Sequence, residues 1–484
     1  MTAEIEAKPR ISGLRAECLP FWEVLAQSVA NIAPTATPTI NLALVYASAG
    51  NGSWLAYLIA TVGLVFVSLN INQFASRSAS PGSLYSYIAK GLGSTAGVLC
   101  GWALVLAYVL TAMAVICGFA SYGEVLFGLV GLKLAPIFLF AICAGIAWYV
   151  AYKDIQLSAV MMLIIEAVSV GVILILGITV WANKGLALDT AQLSLQGVTP
   201  NGIALGLVLA IFSFVGFESA TALGDEAKNP LRTIPSSVIL STILAGLFFV
   251  VMTYIEVLGF RGTPSPLNET SAPLSFLAQQ AGVGFLGVIV TIGAMVSFFA
   301  CTLASINAGA RILFTMARHG IFHPAVGSAH ISNQTPHVAV TMTALFAFLV
   351  PASMSMFGLK ILDILAYLGT IATYGFLLAY ILVSIAAPVY LSKIRQLRPL
   401  DLAIAVVAVV FMIIPVVGST GLPGGELFPV PTAPYNVFPF LFLMYLVVGG
   451  GWFLMLRLHS PEVIEDMERE IEAIHTKFSE MKKV

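Results

Sequence analysis

Charge is the first thing this sequence lacks. Of its 484 residues only 9% are Asp, Glu, Lys or Arg, while 59% are hydrophobic; a soluble domain carries about 25% charged residues. With a mean hydropathy of +0.97, most of the chain has lipid as its solvent. The formal net charge is -1, so there is no global basic or acidic field of the kind that binds nucleic acid. Paired cysteines are missing as well. Cys18, Cys100, Cys117, Cys143 and Cys301 are scattered without a CxxC spacing, and those inside apolar runs read as small buried hydrophobes. No cleavable signal peptide is evident, because the first 18 residues are polar and mixed in charge. The histidines, His319, His323, His330, His337, His459 and His475, fall in loops or the tail with no HExxH pattern. That argues against a membrane-embedded enzyme, which needs clustered ligands or bases at membrane depth. Nothing resembles a repeated carbonyl filter, which argues against a channel.

What is present is a series of long apolar runs. About 20 apolar residues cross a bilayer as a helix, and twelve such spans can be laid out: 19–47, 54–76, 95–127, 134–151, 157–181, 203–224, 234–258, 282–313, 337–358, 361–390, 400–418 and 436–457. The expected fold is an all-α integral membrane protein. If both termini are cytoplasmic, the outside segments hold only Lys133, Lys184, Arg261 and Lys360 of the chain's 22 Lys and Arg. The rest lie inside, as the positive-inside rule requires. The domain layout expected is a cytoplasmic tail 1–18, a first repeat 19–181, an extracellular loop 182–202, a second repeat 203–390, two further spans within 391–457 and a cytoplasmic tail 458–484. In the last of these Ile464, Met467, Ile471, Ile474, Phe478 and Met481 alternate by three and four. They form an amphipathic seam suited to the protein's own base or to a partner helix.

Two spans contain breakers. The first carries "NIAPTATPTIN", with Pro34 and Pro38 amid Thr35, Thr37, Thr39, Asn31 and Asn41. Pro34 removes a backbone donor, and carbonyls freed in lipid must be re-satisfied beside protein or a polar cavity. The sixth carries "FSFVGFES", broken at Gly216 and followed by Glu218. These are the first spans of two five-span blocks, and matching interruptions point to an inverted repeat with a ligand between the broken helices. Ionisable groups inside lipid are functional candidates by default. Glu23 lies near the inner end of its span, and Glu124 and Glu256 lie near outer ends, where snorkelling or a water-filled vestibule accounts for them, so all three read as mostly structural. Glu166 sits within "VMMLIIEAVSVG", with no Lys or Arg within ten residues along the chain. A carboxyl without a cation partner can take up and release a proton, so Glu166 and Glu218 are the proton-coupling candidates. Glu218 also reads as a cap for exposed backbone amides.

From Gly216 onward, "GFESATALGDEAKNPLRTIPSSVI" resembles the span-six motif of the amino acid–polyamine–organocation superfamily. "SPGSLYSYIAKGLG" resembles the segment after its second span, with Ser83 in place of a glycine, and "NAGARILFTMARHGIFHP" resembles the close of its eighth, followed by Pro336. The resemblance covers spans one to ten. It implies a leucine-transporter-type 5+5 inverted repeat with broken helices 1 and 6 and two extra C-terminal helices. It further implies secondary transport of an amino acid by alternating access, by proton coupling or exchange, with an amine or polyamine as the alternative substrate. No cofactor is implied; a proton or sodium ion is the coupling ion. The partners expected are the small-molecule substrate and the lipid bilayer, with the chain a monomer or homodimer in the cell membrane. Carried over by position, the substrate site comprises Ile32, Ala33, Pro34, Thr35, Ala36 and Thr37 in the first span. In the sixth it comprises Phe212, Ser213, Phe214, Val215 and Gly216, with Phe212 as the aromatic gate. The sequence departs from the family where "APTAT" replaces a glycine-serine-glycine break. It departs again at Glu166, which aligns with a lysine of proton-coupled members.

Overall fold

The computed structural model describes residues 12–270 and 272–481. Positions 1–11 of the expected N-terminal tail, and the side chain of Met481 in the C-terminal seam, lie outside the described residues. Among the described residues every regular element is helical, and the one strand-like contact is an isolated parallel bridge between Leu19 and Ala227. The helices are α1 (Phe21–Ile32), α2 (Leu42–Ala49), α3 (Ser53–Ala75), α4 (Ser83–Leu92), α5 (Ser94–Leu129), α6 (Pro136–Lys153), α7 (Ile155–Asn183), α8 (Thr190–Leu193), α9 (Pro200–Phe212), α10 (Pro230–Gly259), α11 (Pro273–Gln280), α12 (Gly284–Arg318), α13 (His337–Met356), α14 (Ile361–Lys393), α15 (Pro399–Thr420), α16 (Phe438–His459) and α17 (Pro461–Met481). Ten helical runs among them are long and apolar enough to cross a membrane. The first of these, Phe21–Ala75, runs for 55 residues, while α9 is a shorter apolar helix of 13.

Local chemistry starts these helices where chain direction reverses. Asp154 accepts hydrogen bonds from the Gln156 and Leu157 amides and so opens α7 directly after α6. Thr199 caps the Gly202 amide, and Pro200 occupies the first position of α9, where a missing N–H costs nothing. The longest helices, α5, α12 and α14, form the interior; 78% of the apolar window of α5 is buried, against 22% for the run containing α16. α15 and α16 therefore lie at the periphery.

Short helices α4 and α11 stand outside the expected spans. α4 matters for α17, because the two pack together at the end of the bundle that carries the termini. Ile464, Met467 and Ile471 are buried there. Of the two readings of the seam, packing on the protein's own base is the one seen. The Tyr85 hydroxyl on α4 meets His319 Nδ1 at 2.6 Å and Met467 Sδ at 3.1 Å. Lys90 pairs with Glu472, and Arg318 lies 3.6 Å from Glu470. Burial pushes the His319 imidazole down to about 4, so it is neutral at pH 7. Met467→Asp places a carboxylate in this contact and is expected to weaken docking of α17 by about 3 kcal/mol or more. Limited proteolysis would then cut the tail while thermal unfolding of the bundle moves little; a protected tail would contradict this.

Candidate functional site

Both breaks open the backbone next to each other. α1 stops at Ile32 because Ala33 takes a left-handed conformation, φ 48°, with its amide turned back to the Ala30 carbonyl at 3.0 Å. Such a φ is costly for a residue with a Cβ and persists only where its surroundings over-determine it. Pro34 follows, and helix resumes through a π turn, Thr37–Asn41, into α2. In the sixth span the break begins earlier than expected. α9 ends at Phe212, and Gly216, at φ 86°, lies inside a non-helical stretch that re-forms as a 3-10 turn over Ser219–Leu223. A Cβ on Gly216 would stand 1.6 Å from Asn31 Nδ2. The glycine is thus needed for its dihedral and for the close passage of α1.

A cavity of about 590 Å³ occupies the space between the two breaks. Of the residues expected in the site, Ile32, Ala33, Ala36, Phe212, Ser213 and Val215 line it; Pro34, Thr35, Thr37, Phe214 and Gly216 do not. Phe214 turns away and packs edge-on against Phe249, ring centroids 5.0 Å apart. From the breaks the cavity runs past Leu44 and Ser48 on α2 to Leu362 at the start of α14. It therefore extends away from the end that carries the termini. That end is closed. The Leu19 amide donates to the Glu226 carbonyl at 2.9 Å and the Leu19 carbonyl accepts from the Lys228 amide at 2.8 Å, and Arg311 on α12 forms a buried ion pair with Glu226 at 2.6 Å.

The polar groups at the cavity are few. No donor among the described residues reaches the carbonyls of Phe212, Ser213 or Val215. Asn31 Oδ1 accepts from Ser305 at 2.9 Å, while Asn31 Nδ2 is buried without an acceptor among the described residues. Cys301, expected to be only a small apolar filler, also lines the cavity and donates to the Asn31 carbonyl at 3.3 Å. Unpaired carbonyls suit an ammonium group and an unpaired amide N–H suits a carboxylate.

Neither proton-coupling candidate is at the cavity wall. Glu166 on α7 accepts from Ser297 on α12 at 2.8 Å, and its second oxygen has no hydrogen-bond partner among the described residues. Ser297 lies one helical turn before Cys301, so Glu166 stands behind the cavity. Glu218 is fully buried and accepts from Tyr108 on α5 at 2.6 Å and Tyr380 on α14 at 2.5 Å. Its expected role as a cap for the opened backbone is corrected here: the Gly216 amide donates to the Tyr380 hydroxyl at 3.0 Å, and Tyr380 links it to Glu218. Sequence reasoning missed Tyr108, Tyr380, Ser297 and Ser305, which come from distant helices and carry no local signal. Asn31 was within reach, being a polar residue one turn before Pro34. Tyr380→Phe leaves both the Gly216 amide and one Glu218 oxygen without a partner. It is expected to destabilise the folded protein by roughly 2 to 4 kcal/mol, measured by thermal unfolding in detergent; an unchanged transition would show the link to be dispensable.

A model of the family described as Amino acid permease matches residues 23–458. The branched-chain amino acid permease BcaP of Bacillus subtilis is 26% identical, covering 72% of this chain and 75% of that protein. The low-affinity putrescine importer PlaP of Escherichia coli is 25% identical, over 61% and 66%. The methylthioribose transporter of Bacillus subtilis is 24% identical, over 85% and 87%. Among solved structures, the substrate-bound outward-open state of a Na+-coupled sialic acid symporter superposes with a TM-score of 0.54 at 13% identity, covering 86% of this chain and 92% of the other.

Proposed function

The chain belongs to the amino acid permease family, and we propose that it is a secondary transporter that moves a neutral amino acid with an apolar side chain across the cell membrane by alternating access. One observation carries the choice of substrate. The cavity between the broken helices has no charged residue on its wall, and Leu44, Val115, Leu205, Val208, Leu209 and Phe212 make much of it apolar. A polyamine needs carboxylates to replace its water, and neither Glu166 nor Glu218 lines the cavity. A zwitterion is served by what the break offers: three free carbonyls for its ammonium and Asn31 Nδ2 for its carboxylate. Phe212, on the cavity wall, serves as the aromatic that closes over it. The lysine and arginine bias supports cytoplasmic termini, so the cavity faces outward. Coupling to a proton is read at a buried carboxyl without a cation partner, and Glu166, with one oxygen unpartnered among the described residues, is one such group.

Counterflow in proteoliposomes tests this reading. Vesicles preloaded with leucine should accumulate labelled leucine, isoleucine or valine in a saturable way, and putrescine should not compete. Putrescine uptake without leucine uptake would instead favour the amine reading, and no counterflow with any of these or with a wider amino acid panel would overturn transport altogether.

A further inference from the structure

The sequence marks Glu256 as a residue near a span end, free to reach water. The structure contradicts this. Its side chain on α10 is 0% exposed, and neither carboxyl oxygen has a hydrogen-bond partner among the described residues. An ionised carboxylate stripped of both water and hydrogen bonds is among the most costly groups a fold can hold. A positive charge must accompany it. The nearest basic residue along the chain, Arg261, is already held by Asp189 at 2.9 Å.

The surroundings of Glu256 are hydroxyls. Phe249, Thr253 and Glu256 recur at helical spacing on one face of α10. Phe249 packs on Tyr57 of α3, ring centroids 5.5 Å apart, and Thr253 Oγ1 is itself buried without a partner among the described residues. The Tyr57 and Tyr122 hydroxyls, from α3 and α5, lie within electrostatic reach of the Glu256 carboxyl. Tyr57 then contacts Ser213 Oγ at 3.2 Å, and Ser213 lines the substrate cavity. α10 also packs on the Thr37–Asn41 π turn of the first break.

From this arrangement we infer that Glu256 is a proton-binding site inside the membrane, connected to the substrate cavity through Tyr57 and Ser213. The inference rests on the transport reading for its purpose but not for its existence. The proton enters from cavity water. Ser213 accepts it and releases its own hydroxyl proton to Tyr57, which hands its own to the Glu256 carboxylate; each hydroxyl ends with one proton, as it began. No hydrogen bond joins Tyr57 to Glu256 in this conformation, so the last transfer requires rotation of the carboxyl or an intervening water. A metal cation is the poorer occupant. A hard cation needs about six oxygens, whereas the Tyr57 and Tyr122 hydroxyls are already bonded to Ser213 and to the Thr39 carbonyl, which leaves the two carboxyl oxygens and Thr253 Oγ1.

Infrared difference spectroscopy on the purified full chain in lipid tests the site without a substrate. Wild type minus Glu256→Gln should show the carbonyl band of a protonated acid, and that band should shift on transfer to heavy water. Tyr57→Phe should keep the band and slow its exchange by at least about tenfold, equivalent to about 1.4 kcal/mol in barrier. A carboxylate band in place of the acid band, a sodium-dependent one, or an acid band that never exchanges would overturn the site. For its role, labelled leucine uptake is compared with and without an imposed inward proton gradient. The ratio should fall toward one in Glu256→Gln, and an unchanged ratio would overturn the role. If wild type shows no leucine uptake at all, the amino acid reading fails, and the infrared result still decides whether Glu256 holds an exchangeable proton.

Discussion

Gly216→Ala is expected to abolish leucine counterflow and to lower stability by roughly 2 to 5 kcal/mol. Two costs combine. An L side chain at φ 86° adds about 1 to 2 kcal/mol of backbone strain. The new methyl would also stand 1.6 Å from Asn31 Nδ2, and overpacking of this kind adds about 1 to 3 kcal/mol. Asn31 cannot retreat freely, because Ser305 holds its Oδ1 and Cys301 holds its carbonyl. The strain therefore falls on the two breaks together. The carbonyls of Phe212, Ser213 and Val215 are displaced from the site that Asn31 shares. Measured by counterflow and by thermal unfolding, a variant with near-normal uptake would show that the passage of α1 past Gly216 is not part of the site. Asn31→Ala on the Gly216→Ala background separates the two costs. It removes the clash but not the dihedral strain, so stability should recover in part while transport stays lost, Asn31 being the free donor at the cavity.

These contacts mark where the sequence was legible and where it was not. The breaks themselves were readable, since proline or glycine flanked by polar residues has no other reason to sit in an apolar span. Their detail was not. α9 stops four residues before Gly216 because Ser213 and Phe214 take up tight turns onto Ala210 and Ile211, a choice no residue type dictates. The left-handed residue in the first span is Ala33, where propensity would place glycine. Glu218 was recognised as important, but its partners Tyr108 and Tyr380 stand 110 and 162 residues away in the chain. Periodicity reports which face of a helix is apolar; it says nothing of which neighbour that face will meet. Glu256 shows the same limit from the other side: position near a span end suggested access to water, and tertiary packing removed it.

Arg311→Met is expected to open the closed end of the bundle. Arg311 and Glu226 are 1% and 0% exposed, joined at 2.6 Å, and the guanidinium also holds the Asn307 carbonyl at 2.9 Å. Removing the cation leaves the Glu226 carboxylate buried without its counter-charge, which costs about 3 to 5 kcal/mol in such pairs. The protein can relieve that cost without unfolding. Glu226 lies in the segment 226–228 that pairs with Leu19, so parting that bridge returns the carboxylate to water. The single variant should accordingly populate a conformation open toward the termini, in which Cys18, now half-buried, reacts faster with a water-soluble maleimide. The double variant Arg311→Met, Glu226→Gln removes both charges, and its closed end should be restored to near wild-type protection, because the penalty belongs to the orphaned charge and not to the loss of the pair. Equal labelling of Cys18 in wild type and Arg311→Met would overturn the assignment of this pair as the lock of the closed end. If the double variant labelled as fast as the single one, the lock would instead reside in the geometry of the guanidinium, including its bond to Asn307.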